Sequence, residues 1–192
     1  MKIDPAALAQ LVVRLEVSGF VRVVRRAHAA TPLGMGFGKT RFSSPSNAFQ
    51  LLYIAQDSRT AIAEAIIRDR FQYRTKRELL RIEFDHYSIT EVQNLKPLTL
   101  IDMRTDGAML LGVPTDAVRS RAHNAGRVFS QRLFDNTQAD GIVYLSRLTG
   151  QTCVAVYDRA VLSKLLAPMA IDLPRLSSLV ADMQALQVTL IG

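Results

Sequence analysis

Short runs rich in apolar and β-branched residues, several alternating with polar ones, predict strands over 20–24, 51–55, 78–85, 98–102, 142–145 and 153–157. Helical spacing predicts the other elements. Asp4-Pro5 is a capped helix start, and Leu8, Leu11, Val12 and Leu15 give it one apolar face that ends at Ser18-Gly19. Asp57 or Ser58 caps a helix running to about Phe71, and the segment 114–134 predicts one beginning near Thr115 or Asp116. Helical patterns follow over 159–166 and 173–186, before a terminal apolar run, VTLI. Residues 27–50 are rich in Gly, Ser, Thr and Pro and read as one long loop, a length that usually carries function. Strands and helices mix without a regular βαβ alternation, which predicts an α+β fold rather than a doubly wound sheet.

Composition narrows the class. A chain of 192 residues with 48% hydrophobic content is long enough for one sizeable core, so residues 1–192 are expected to form a single domain. No apolar run approaches the roughly 18 residues needed to span a bilayer. Asp4, Arg14 and Glu16 interrupt the N-terminal apolar residues, against a secretory signal. Cys153 is the sole cysteine, which excludes a disulfide framework and predicts a cytoplasmic setting. The net charge of +7 is local: between Arg22 and Arg81, 12 Lys or Arg stand against 4 Asp or Glu. A solvated basic face explains that excess as well as an anionic ligand or an acidic partner does.

Two tempting motifs fail on spacing. A phosphate loop needs a glycine five residues before its Gly-Lys pair, and Leu33 stands there, ahead of GMGFGKT. RFSSPSN after Thr40 forms turns rather than the required helix. His28, His86 and His123 lie far apart and make no ligand-spaced cluster with Cys153, whose apolar strand context predicts burial rather than nucleophilic use.

What remains is a scattered polar set. Glu64 lies on the helix after Ser58, and its plain reading is an exposed pair with Arg68 at i,i+4. Arg41 lies in the loop, Arg22 in the first apolar run, Tyr53 inside LLYIA, and Ser146 at a strand end, followed by Arg147. Taken singly these are surface cations, a core tyrosine and a turn serine. As an ordered set, FVRVV, KTRF, LLYIA, RTAIAEAI and DGIVYLSR resemble the RES domain family, named for its Arg, Glu and Ser, from about residue 20 to 165.

That resemblance implies a compact fold similar to ADP-ribosyltransferases of the diphtheria-toxin kind, and a bacterial toxin that consumes NAD. Glu64 matches the family's central acidic residue, which would stabilise an oxocarbenium-like ribose as nicotinamide leaves. Arg41 matches the loop arginine that would grip the pyrophosphate, although the family usually has glycine where Thr40 precedes it. Arg22 matches the N-terminal arginine, with Arg25 and Arg26 as neighbouring alternatives. Tyr53 would line the NAD site, and Ser146 would help bind nicotinamide or its ribose without acting as a nucleophile. Arg147 would add phosphate contacts. No bound cofactor is implied: NAD is the substrate, and water, inorganic phosphate or a protein side chain captures the ribosyl group, giving glycohydrolase, NAD phosphorylase or ADP-ribosyltransferase activity. The implied partner is an antitoxin with a helix-turn-helix domain on a separate chain, or an immunity protein if the toxin is delivered into competitors. The rival from another class is a basic nucleic-acid-binding module, for which FQYRTKRELLR interleaves aromatics with Arg and Lys. A catalytically inactive domain that binds an acidic partner is a third reading. Residues after Leu166 fall outside the resemblance.

Overall fold

The structure is a computed structural model that describes residues 3–114 and 123–192. Its centre is a mixed sheet. The strands, in chain order, are β1 (Val12–Leu15), β2 (Phe20–Arg25), β3 (Leu51–Ala55), β4 (Glu78–Leu80), β5 (Tyr87–Asn94), β6 (Leu98–Asp102), β7 (Gly141–Leu145), β8 (Thr152–Tyr157), β9 (Leu165–Leu166), β10 (Ile171–Asp172) and β11 (Thr189–Ile191). The main sheet runs β1-β6-β7-β8-β3-β2-β5-β10, with β9 joined to β5, and only β6 and β7 pair in parallel. β4 and β11 form a separate parallel pair.

The period of two in the central strands sorts their side chains onto two buried faces. On β3 and β8, Leu51, Ala55, Cys153, Ala155 and Tyr157 face one apolar cluster, while Leu52, Ile54, Val154 and Val156 face the other. The first face is covered by helices α2 (Ser58–Ile62) and α4 (Asn124–Asn136), through Ile62, Phe129 and Leu133, and by α6 (Leu179–Ala185) through Leu179 and Met183. The remaining helices among the described residues are α1 (Pro5–Gln10), α3 (Gly107–Leu110) and α5 (Asp158–Lys164), and α5 covers the second face with Ala160 and Val161. The α+β architecture expected from the sequence is therefore the one observed.

Several local expectations need correction. The first helix stops at Gln10; Val12 and Leu15 belong to β1, which pairs with β6 from Val12↔Ile101 to Leu15↔Leu98. Sheet pairing outweighs the helical spacing of those leucines. The expected strand over 78–85 shortens to β4, and Arg81–His86 turns into a 3₁₀ helix with Phe84 buried. β5, the longest strand, has no counterpart among the expected elements, although it pairs with β2 along all six of that strand's residues. The expected start of the 114–134 helix, near Thr115 or Asp116, lies outside the described residues. Beyond it, α4 occupies Asn124–Asn136. The two C-terminal helices shorten to Asp158–Lys164 and Leu179–Ala185, the latter preceded by a 3₁₀ turn at Leu173–Arg175. No helix among the described residues is long and apolar enough to cross a membrane.

Gly141 is sterically required. A Cβ on Gly141 would stand 2.1 Å from the Ala155 carbonyl oxygen and 3.0 Å from the Val156 Cα, both on the neighbouring strand's backbone. Backbone cannot swing aside as a side chain can, so Gly141→Ala is expected to destabilise the fold by about 1–3 kcal/mol. Urea unfolding should show the midpoint falling. An unchanged midpoint would mean that β7 and β8 part without cost.

Candidate functional site

The site forms where the sheet splits. β2 and β3 are joined by a single register pair, Val21↔Ala55, whereas β3 pairs with β8 over five residues. Beyond Val21 the two strands diverge and leave a slot of about 180 Å³, lined by Arg22 and Val23 on one side, Tyr53 and Ile54 on the other, and by Arg41, Glu64, Arg68 and Tyr144. That volume is below the roughly 300–1,000 Å³ of typical small-molecule sites.

Glu64 reaches the slot from the helix that follows β3. Asp57 caps that helix through the Thr60 amide at 2.7 Å, and Thr60, Ala61 and Ile62 are buried. The continuation, Ala63–Ile67, is a π-helix, a widened turn frequent at functional sites. It buries Ala63, Ile66 and Ile67 and leaves the Glu64 side chain about a quarter exposed. The helix ends there, short of the expected Phe71. Glu64 Oε1 accepts a hydrogen bond from Ser146 Oγ at 2.7 Å, and Oε2 lies 3.9 Å from Arg68 Nη1. The i,i+4 pair therefore exists, but as part of the pocket wall rather than on an open surface.

Ser146 is fixed by the turn between β7 and β8. Its amide donates to Gln151 O at 2.8 Å, and its Oγ accepts from the Leu148 amide at 3.1 Å. With the hydroxyl proton committed to Glu64, Ser146 sets the carboxylate's orientation. Arg147, next in sequence, is exposed to solvent.

Arg41 is held by its neighbours. Phe42 is fully buried, edge-on to Tyr144 with ring centroids 5.1 Å apart. On the other side, Thr40 Oγ1 shares a 2.7 Å hydrogen bond with the Tyr53 hydroxyl, which also accepts from the Phe42 amide at 3.3 Å. Thr40 thus ties the loop to β3. Arg41 itself is only 7% exposed, with its guanidinium carbon 6.0 Å from the Tyr144 ring centre. Burial lowers its pKa, and the guanidiniums of Arg147 and Arg68 push the same way. Burial raises the Tyr53 phenol to about 12, so its hydroxyl stays neutral.

Of the three N-terminal arginines, only Arg22 lines the slot. Its Nη2 donates to Gly34 O at 2.8 Å, and burial pulls its pKa down to about 10. Its Nη1 is buried without a hydrogen-bond partner among the described residues. Arg25 lies over the Tyr87 ring and Arg26 pairs with Asp172 at 3.2 Å.

Sequence reading missed Tyr144 and Arg68 as slot residues and gave His123 no role there. Arg68 Nη2 lies 3.1 Å from His123 Nε2. The only signal for Arg68 was its i,i+4 spacing from Glu64, and nothing local marked His123.

Cys153 lines the slot floor but is 2% exposed. Burial and then the Glu64 carboxylate raise its thiol to about 12. Because the thiolate is the reactive form, native protein near neutral pH is expected to resist a thiol reagent such as DTNB and to react fully once unfolded. Rapid labelling of the native state would contradict this burial.

The slot therefore defines an α+β protein with a split sheet, in which one carboxylate, Glu64, shares the lining with Arg22, Arg41 and Arg68. The family model of the RES domain matches residues 20–175, and the chain belongs to that family. It is 39% identical over 79 residues to "Probable toxin y4kH" of Sinorhizobium fredii (strain NBRC 101917 / NGR234). That stretch covers 41% of this chain and 62% of the relative, so the match spans less than two thirds of the relative's length. Among solved structures, a chain in the M. tuberculosis MbcT-MbcA toxin-antitoxin complex is similar, with a TM-score of 0.66 and 15% identity. The match covers 91% of this chain and 96% of that one, and it shows a shared fold.

Proposed function

We propose that this chain is a bacterial toxin that cleaves NAD between nicotinamide and ribose. The observation that carries the reading is the charge pattern of the slot, whose single carboxylate, Glu64, stands 3.9 Å from the Arg68 guanidinium in a wall that also includes Arg41 and Arg22. NAD carries a complementary pattern: two adjacent anionic phosphates at its centre and a cationic pyridinium at one end. Arginine forks suit the phosphates. Glu64, oriented by Ser146, suits the cationic end.

In the reaction the C1′–N bond breaks heterolytically. Its electron pair returns to the ring nitrogen, and neutral nicotinamide departs without needing a proton. Glu64 stabilises the positive charge that develops on the ribose, the role carboxylates play in glycosidases. An acceptor oxygen then bonds to C1′ and releases its proton to solvent. Inorganic phosphate gives a phosphorylase, water a glycohydrolase, and a protein side chain an ADP-ribosyltransferase.

The natural partner in this reading is an antitoxin on a separate chain, carrying a helix-turn-helix domain, and the compartment is the cytoplasm. The fold match to a chain of a toxin-antitoxin complex supports the partnership. The nucleic-acid rival draws on Tyr73, which is 98% exposed, and on exposed Arg74, Lys76 and Arg81. However, Arg70 pairs with Glu83 and Arg77 lies over Phe71, so part of that basic stretch serves internal contacts.

Purified protein incubated with NAD, with and without phosphate, tests the reading by chromatography of nicotinamide and the ADP-ribose products. Nicotinamide release supports it, and phosphate dependence identifies the acceptor. No release from folded, partner-free protein would overturn NAD cleavage, and a salt-dependent gel shift would then favour the rival.

A further inference from the structure

We infer that His123 and Arg127 are positioning residues, forming with Gln131 a rail on α4 that holds the Arg41 loop against the slot. The three residues recur at intervals of four, so they share one helix face. Each grips the loop on one side of Arg41 or the other. His123 Nδ1 lies 3.0 Å from the Lys39 carbonyl oxygen. One turn on, Arg127 donates from Nε to Ser43 O at 3.2 Å and from Nη2 to Ser44 O at 2.8 Å. A further turn on, Gln131 Oε1 accepts from Ser44 Oγ at 2.6 Å.

His123 does more than its two companions. Its partners fix its hydrogen-bonding roles: the Lys39 carbonyl can only accept and the Arg68 guanidinium can only donate. Nδ1 therefore carries the proton given to Lys39, and Nε2 accepts from Arg68 at 3.1 Å. One imidazole thus joins the Arg41 loop to Arg68, which stands beside Glu64. It links the group that would grip the pyrophosphate to the carboxylate that would face the ribose. The spacing between those groups has to match the substrate, and misplacement by about 1 Å can cost on the order of 10²-fold in turnover.

The functional half of this inference rests on the NAD-cleavage reading, so the test has a readout that does not depend on turnover. The Phe42 amide donates to Tyr53 and the Ser43 amide to Thr40 O at 3.3 Å, and their hydrogen exchange reports the loop's placement. His123→Phe removes both polar contacts, whereas His123→Gln supplies an acceptor and a donor. Exchange over residues 38–44 should rise in His123→Phe and return toward wild type in His123→Gln. KM for NAD should rise on the order of tenfold in the first variant and recover in the second. Wild-type exchange and KM in a folded His123→Phe protein would overturn the inference. If wild-type protein releases no nicotinamide, the NAD reading fails, and the exchange comparison alone decides whether α4 holds the loop.

Discussion

Glu64→Gln should lower nicotinamide release by about 10²-fold or more, the scale of one lost electrostatic stabiliser, and leave the protein folded. The two side chains have the same shape, and the amide oxygen of glutamine can still accept the Ser146 hydrogen bond, made at 2.7 Å in the wild type. What disappears is the negative charge. Little stability goes with it, because the ion pair to Arg68 spans 3.9 Å between side chains each about a quarter exposed. Solvent screening limits such a pair to below about 1 kcal/mol. Turnover and thermal unfolding measured on the same preparation separate the two effects. Near-normal release would remove Glu64 from the reaction, and collapse of the fold would recast it as a structural residue.

Arg41→Lys should raise KM for NAD about tenfold or more and change kcat less. A charge-assisted hydrogen bond is worth roughly 1.5–3 kcal/mol, and lysine keeps the charge while losing the planar fork. Arg41 is a buried cation, 7% exposed, and an anionic ligand would offset the cost of taking its charge out of water. Phe42 and the Thr40–Tyr53 hydrogen bond continue to place the backbone, so the substitution acts on the side chain's contacts rather than the loop's path. Initial-rate kinetics across NAD concentrations give the split. An unchanged KM would assign Arg41 to packing against Tyr144 rather than to substrate.

These expectations join residues that stand far apart in the chain. Ser146 is separated from Glu64 by 82 residues, and His123 from Lys39 by 84. The RES-like motifs marked Arg22, Arg41, Tyr53, Glu64 and Ser146, because each sits in a short stretch whose local pattern is distinctive. Arg68 looked like half of a surface pair, since a helical spacing does not say what covers the helix. Tyr144 sits inside GIVYL, where strand alternation marks a core residue and nothing marks a ligand wall. His123 had no local pattern at all. Its role comes from the packing of α4 against a loop.

The amino-acid sequence by itself determined the α+β class, the strands at Leu51–Ala55 and Leu98–Asp102, and a helix start capped at Asp57 or Ser58, because alternation and capping are local effects that fit within a few residues. It also ordered the motifs along the chain. Tertiary structure decided the rest. It turned Val12–Leu15 into an edge strand, since pairing with β6 satisfies backbone groups that a helix end would leave open. It supplied β5, whose pairing with β2 depends on residues far away in the chain. It opened the slot by limiting β2 and β3 to one paired position, and it brought three arginines and one carboxylate into that slot's lining. A split between strands depends on long-range register, and no run of neighbouring residues encodes it.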